Sequence, residues 1–248
     1  SQPPSGGFLL RTMILSDDIL VEIRAHAARD YPRESCGLVI VRKGRQRYMP
    51  CRNVADKNEH FVMHAEDQAA AEDEGAIAMV VHSHPNTPAI PSHADLVGCE
   101  RSGVPWLIVN WPTGAVFQFE PTGYVAPLIG RQFNHGVLDC YTLIRDYYER
   151  ELGIILPDGD RPDEWWLKGM NIYLDGFESA NFERVDKPQA HDVLLMRVAS
   201  PVPNHAAVYL GDGRIMHHQM GRLSSKDIYG GWYEKVTTHV LRHRSLFA

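Results

Sequence analysis

Cysteine is scarce in this chain. Four residues in 248, at positions 36, 51, 99 and 140, with no C-x-x-C pair among them, are too scattered for a disulfide framework in a chain long enough to bury a core without staples. They read as free thiols of a protein made in the cytoplasm. Long apolar runs are missing too: nothing approaches the ~20 consecutive apolar residues that cross a bilayer, so no transmembrane segment is expected. Positive charge is in deficit, with 25 Lys and Arg against 31 Asp and Glu for a net charge of −6. Without a basic face to neutralise phosphates, nucleic acid is not an expected partner. The opening SQPPSGGFLLRTMILS lacks the charged, apolar and small-residue order of a secretory signal. Residues 1–12 read as a flexible leader or a remnant of expression, with the folded chain beginning near Met13. Internal repeats are absent.

What is present is ordinary globular material, 44% hydrophobic and 23% charged, in a length that suits two domains of roughly 100–150 residues. Ser16 as an N-cap, followed by Ile19, Leu20, Ile23 and Ala27 at helical spacing, predicts a first helix that ends before Pro32. Short apolar runs at 37–41, 77–81, 106–110 and 115–119, bounded by Gly, Pro or polar residues, predict strands, with helices over 65–74 and 92–101. The stretch EPTGYVAPLIG (120–130), with two prolines and two glycines, interrupts this pattern as a linker would. A helix then places Leu143, Ile144, Tyr147, Tyr148 and Leu152 on one face, with Gly153 at the C-terminal cap. Strands follow over 192–198, over a 205–218 hairpin turning at Gly-Asp-Gly, and over 236–243. The two halves differ in pattern, so the expected fold class is α+β in two unrelated domains.

The chemistry concentrates in two places. In HSHPNTPAIPSHAD (82–95), His82 and His84 lie two apart at a strand end and so face one point. Pro85 stops the strand, seven residues separate His84 from Ser92, and Asp95 lies one helical turn beyond Ser92. Two imidazoles and a carboxylate are ligands of the kind Zn²⁺ takes, leaving a fourth position for water, and Glu34 in YPRESCG is a candidate general base for that water. Taken singly, Ser92-x-x-Asp95 is also a helix N-cap pattern. Together, Glu-Ser-Cys-Gly, His-x-His-Pro and Ser-x-x-Asp resemble the JAMM/MPN-plus metalloprotease motif. That resemblance implies an N-terminal mixed sheet with helices, Zn²⁺ held by His82, His84 and Asp95, Glu34 as base, Ser92 as a donor to the oxyanion, and hydrolysis of an amide or isopeptide bond. Cys36 reads as a buried core thiol, and His60, His64 and His93 as ordinary polar residues.

In the second half Cys140 follows Asp139, a natural N-cap, so its sulfur falls in the first turn of a helix, where the dipole is expected to lower the thiol pKa. His205 opens an apolar strand as a candidate base, and His217, twelve positions on, could orient it, with His218 as the neighbouring alternative. Asp-Cys opening a helix, followed by HAAVYLGDGRIMH, resembles the papain-like NlpC/P60 cysteine peptidases. By that resemblance Cys140 is the nucleophile, His205 the base and His217 the third residue. His191 stands as a substitution in AHDVLLM, and Phe133 occupies the place of a tyrosine that helps bind the amino end of the substrate peptide, which bears on the expected peptidoglycan stem-peptide specificity. The expected layout is residues 13–122, a linker 123–129 and residues 130–248.

The order of the two motifs in one chain of this length resembles a family of phage tail assembly proteins. This implies other phage tail tip proteins and a peptide or peptidoglycan substrate as partners, and a place in the host cytoplasm during assembly or at the virion tail tip. On the residues alone two other readings stay open: a cellular cytoplasmic peptidase acting on cell-wall fragments or protein conjugates, and a structural tail component with vestigial sites.

Overall fold

The computed structural model describes residues 13–56 and 60–247; the leader expected over residues 1–12 lies outside the described residues. The chain forms two compact units, one of residues up to Ile90 with Gly103–Glu120, the other of Pro91–Ser102 with Pro121 onward. Among the described residues no helix is long and apolar enough to cross a membrane.

The first unit opens with α1 (Asp17–Asp30), which stops before Pro32 as expected. Ser16 takes the extended N-cap backbone and accepts the Leu20 N–H through its carbonyl, but its side chain makes no capping bond; Asp17 and Asp18 supply the negative charge that favours a helix start. The sheet runs β2 (Arg45–Cys51), β1 (Cys36–Arg42), β3 (Ala76–Pro85), β4 (Trp106–Trp111), β5 (Val116–Phe119), with α2 (Ala65–Glu74) ahead of β3. Only β3 and β4 are parallel, and α3 (His93–Ser102) is the connection between them. Ile19, Ile23 and Ala27 of α1 bury against Val39, Met79, Val81, Leu107 and Val109. Because side chains alternate along a strand, burying Met79 and Val81 under α1 turns His82 and His84 to the opposite face.

The second unit begins its core with α4 (Cys140–Tyr147), which runs into a π-helical turn over Tyr148–Leu152 and ends at Gly153, φ 67°, the cap the sequence predicts. After α5 (Ile172–Gly176) come β6 (Phe182–Val185), β7 (Val193–Met196), β8 (His205–Gly211), β9 (Arg214–His217), β10 (Ser225–Ile228), α6 (Trp232–Val236) and β11 (Thr237–His243). They form an antiparallel sheet in the order β10-β9-β8-β7-β11-β6. Leu143, Ile144, Tyr147 and Tyr148 pack on one face of it, against Val193, Leu195, Ala206, Val208 and Met216. The other face, with Leu194, Met196, Ala207 and Ile215, is covered by Tyr229 and Tyr233.

Gly37 of β1 shows why the Glu-Ser-Cys-Gly segment ends in glycine. A Cβ there would lie 2.5 Å from the Tyr48 hydroxyl and 2.7 Å from the Met49 carbonyl oxygen, so β1 and β2 can pair only over a bare Cα. Overpacking of this kind costs about 1–3 kcal/mol. Gly37→Ala is therefore expected to lower the free energy of unfolding by that much, read as a lower denaturant midpoint at an unchanged slope, and an unchanged midpoint would refute the contact.

Candidate active sites

In the first site the β1–β3 register does most of the positioning. Cys36 lies opposite His82, and the Ser83 N–H donates to the Ser35 carbonyl at 2.9 Å while the Ser35 N–H donates to Ser83 Oγ at 2.8 Å. Glu34, the residue before Ser35, is buried. The Glu34 backbone is itself held by Asn53, whose amide donates to its carbonyl at 2.9 Å. His82 is fully buried between the stacked Phe61 ring, 4.9 Å away, and the edge-on Trp106 ring at 5.5 Å. Its Nε2 lies 3.1 Å from Nε2 of His84. His84 Nδ1 is 2.9 Å from the Pro88 carbonyl, an acceptor, so the hydrogen sits on Nδ1 and Nε2 keeps its lone pair. Asn110 of β4 holds the same loop through the Thr87 carbonyl. One ligand atom each from His82, His84 and Asp95 lies within 4.8 Å of the others, the one group of its kind among the described residues.

Ser92 and Asp95 turn out to be a cap as well. The Ser92 N–H donates to Asp95 Oδ2 at 2.6 Å and the Asp95 N–H to Ser92 Oγ at 3.2 Å, a reciprocal capping box that starts α3. The two roles are compatible, because a carboxylate has lone pairs to spare and the serine keeps its hydroxyl hydrogen. Cys36 is a core thiol as expected: burial, then neighbouring Cys51, push it up to about 12. Two of the remaining histidines have local jobs: His64 caps α2 by accepting the Glu66 N–H, and His93 accepts the Gln132 N–H at 3.4 Å.

In the second unit Asp139 caps α4 in a capping box with Thr142, and its carboxylate also accepts from the Gly136 N–H and from Arg161 Nε at 3.0 Å, both side chains almost wholly buried. Burial alone would raise this carboxyl, but Arg161 and the amide donors outweigh it and hold it below its ordinary value. Cys140, first residue of α4, lines a cleft together with His205, His218, Phe133, Trp166 and Tyr173. His205 Nε2 lies 3.1 Å from His217 Nδ1, and His217 Nε2 2.8 Å from Asp227 Oδ2. His217 is thus the histidine that His205 meets, while His218 is buried on the cleft wall, edge-on to Phe133 at 5.1 Å. A phenol does reach the sulfur, from Tyr173, at 3.2 Å. His191 has a structural part: its Nδ1 meets the Tyr147 hydroxyl at 2.7 Å and its carbonyl accepts from Tyr148.

One expectation is reversed. The helix start does not lower the Cys140 thiol; burial, and then the Asp139 carboxylate beside it, push it up to about 11. Burial, with His217 and His218 adding to it, drives His205 down to about 3. The thiol and the imidazole that line this cleft are both held toward their neutral forms, because burying either charge costs more than the helix dipole returns. Arg161, Tyr173, Asp227 and Tyr233 carry no signal in the sequence that separates them from other polar residues, since each comes from a segment remote from the Asp-Cys motif.

Residues 16–120 match the family model described as prokaryotic homologs of the JAB domain, and residues 130–242 that of the NlpC/P60 family. Tail tip assembly protein K of Escherichia phage lambda is 42% identical over 185 residues, 74% of this chain and 90% of that one. Its counterpart in Escherichia phage N15 is 38% identical over 228 residues, 90% of this chain and 93% of that one. This chain belongs to the tail tip assembly protein K family. As a family member it has a JAB-like N-terminal domain and a papain-like NlpC/P60 C-terminal domain, in the order and α+β class that the motifs predict. A solved NlpC/p60 domain of the peptidoglycan hydrolase SagA is 18% identical, covering 46% of this chain and 89% of that one at a TM-score of 0.31.

The buried Asp139–Arg161 pair sets a stability test. A carboxyl whose folded value lies below its unfolded value of about 3.9 stabilises above that unfolded value and loses its contribution as pH falls through the folded one. Removing one partner of a buried pair costs about 3–5 kcal/mol. Arg161→Met should lose that much in urea unfolding near neutral pH and distinctly less in acid, where Asp139 protonates and the stranded charge disappears. A pH-independent loss would mean the ion pair is not the cause.

Proposed function

We propose that this chain is a phage tail tip protein with two peptidase sites: a zinc-dependent amide or isopeptide hydrolase over residues 13–122 and a cysteine endopeptidase acting on peptidoglycan stem peptides over 130–248, joined by a linker at 123–129. The single observation that carries the reading is the array in the second unit, where Cys140 and His205 line one cleft and His205 is hydrogen-bonded to His217. Its partners are other tail tip proteins and a peptide or peptidoglycan substrate, met in the host cytoplasm during assembly and at the virion tail tip. The names of the relatives, tail tip assembly protein K of phages N15 and lambda, support that setting.

At the thiol site Cys140 Sγ attacks the peptide carbonyl carbon and its proton passes to His205. The imidazolium returns that proton to the departing amine, leaving a thioester, which water cleaves with His205 again as base. Charge appears only as the bonds change, in keeping with a neutral resting pair. Tyr173, kept protonated by burial first and by the nearby thiol, is a hydrogen-bond donor beside the sulfur, where an oxyanion would form. Phe133, Trp165, Trp166 and Met220 give the cleft apolar walls for a peptide.

At the first site, two imidazoles and one carboxylate within 4.8 Å of one another are a donor set that would hold Zn²⁺. Bound there, zinc would acidify a water and polarise the scissile carbonyl. Glu34 would be the base that takes the water proton, its backbone held by Asn53. The Ser92 hydroxyl hydrogen is the donor to the oxyanion.

Purified protein is expected to hold about one zinc per chain by elemental analysis. His84→Ala should abolish that zinc, whereas Glu34→Gln should keep it and lose hydrolysis, because a base outside the coordination shell does not hold the ion. Stoichiometric zinc in His84→Ala would refute the ligand assignment.

The two chemistries share neither cofactor nor nucleophile. A chelator should therefore stop only the amide or isopeptide cleavage, while Cys140→Ala should stop only digestion of muropeptides. Loss of muropeptide cleavage on zinc removal, with the protein still folded by circular dichroism, would show the sites to be coupled.

A further inference from the structure

The contact between His205 and His217 poses a question of protons. Each neutral imidazole has one N–H and one lone pair, so a hydrogen bond between two of them can run in either direction. If His217 donated through Nδ1, His205 would accept at Nε2 and present Nδ1–H to the cleft, with no lone pair for a thiol proton. If His217 accepts at Nδ1, His205 donates through Nε2–H and its Nδ1 is the basic nitrogen. Only the second arrangement gives a base.

Asp227 decides between them. Its Oδ2 is 2.8 Å from His217 Nε2 and also accepts from the Tyr233 hydroxyl at 2.9 Å. Hydrogen bonds from His217 and Tyr233, with Arg222 adding its charge, hold the carboxyl below its ordinary range despite some burial, so it is an ionised acceptor. A neutral His217 then carries its hydrogen on Nε2, which makes Nδ1 an acceptor and sets the direction of the next link. Burial keeps Tyr233 protonated, pushed up to about 12, and its ring stands edge-on to His217 at 5.0 Å. Cys140, Asp139, Tyr173, His135 and His218 line the cleft with His205, and His218 disfavours charge there.

We propose that Asp227, seated by Tyr233, is the positioning residue of the thiol site, fixing the proton-bearing nitrogen of His217 and, through His217, that of His205. The inference rests on the cysteine peptidase reading above. In the catalytic step the proton leaving Cys140 makes His205 an imidazolium, which donates to His217, whose own hydrogen points at a carboxylate; the charge is met two residues away without a second proton changing owner. Asp227 is not among the residues that line the cleft. It lies on β10, the short edge strand paired with β9 through Ser225↔His217 and Asp227↔Ile215, so the strand that closes the sheet also supplies the anchor.

The test uses the full chain and iodoacetamide, with carbamidomethylation of each cysteine followed by mass spectrometry from acid to alkaline pH. In the unsubstituted protein Cys140 is expected to react faster than Cys36, Cys51 and Cys99, with a rate step attributable to its histidine. An amide at position 227 can turn its NH₂ to His217 and release the tautomer, as a wrong tautomer does in other triads. Asp227→Asn should thus slow Cys140 at least about tenfold near neutral pH and remove the histidine step, leaving the thermal midpoint and the Cys51 rate unchanged. Asp227→Glu, which keeps the carboxylate, should restore the step. Imidazole ¹⁵N spectra should report the Nε2–H form of His217 in the unsubstituted chain and a mixture in Asp227→Asn. If Asp227→Asn fails to fold, Tyr233→Phe carries the test with a smaller change of the same sign in both readouts. Superimposable pH profiles and unchanged tautomer signals, with Cys140 still the fastest thiol, would overturn the role of Asp227 while leaving the peptidase reading intact. Cys140 reacting no faster than the other three in the unsubstituted protein would overturn the peptidase reading, and this inference with it.

Discussion

The carboxylate of Asp139 ties several parts of the second unit together. It takes the Thr142 and Gly136 amides and the Arg161 guanidinium at once, and through them decides where α4 starts. That start puts Cys140 in the first turn with its side chain against the β8 end of the sheet, where burial and the neighbouring carboxylate keep its thiol neutral. The buried anion therefore has two effects of opposite sign. It organises the helix that presents the nucleophile, and it disfavours the charged form of that nucleophile. Catalysis in such an arrangement depends on proton transfer within the cleft, which is why the direction of hydrogen bonding along His205 and His217 matters more than the helix dipole.

Much of the fold was legible because apolar residues were doing one job at a time. The strands at 37–41, 77–81, 106–110 and 115–119 correspond to β1, β3, β4 and β5, and the helices at 65–74 and 92–101 to α2 and α3. Missed were β2, β6 and β10, with sequences RQRYMPC, FERV and SKDI. Each lies at an edge of its sheet, where one flank is unpaired and charged residues are the rule, so hydrophobic alternation fades. The helix predicted from 140 to 152 is continuous, but its last turn is π-helical, a change of hydrogen-bond step that residue spacing does not encode.

The candidate sites divide in the same way. His82, His84, Ser92 and Asp95 sit in one short stretch, and strand and helix periodicity is enough to turn them to a common point. Glu34 needs the β1–β3 register, which the apolar pattern on both strands fixes. Cys140, His205 and His217 stand out by residue type and spacing, and the Gly-Asp-Gly turn makes the pairing of β8 and β9 plain. Asp227 was invisible because its meaning depends on an edge strand of four residues, and Arg161 and Tyr173 because they arrive from the loops and short helices between α4 and β6. The error over the Cys140 thiol was of another kind: a helix N-terminus predicts the sign of one contribution, and sequence does not report how dry the site is.

A thiol held near pKa 11 is almost entirely protonated at neutral pH. Only the thiolate attacks peroxide or a disulfide, so such a sulfur climbs the oxidation ladder slowly, and among the described residues it has no second cysteine paired with it. On the peptidase reading the nucleophile rests protonated, and the arrival of a substrate, by excluding water and offering a carbonyl carbon, is what draws the proton away to His205.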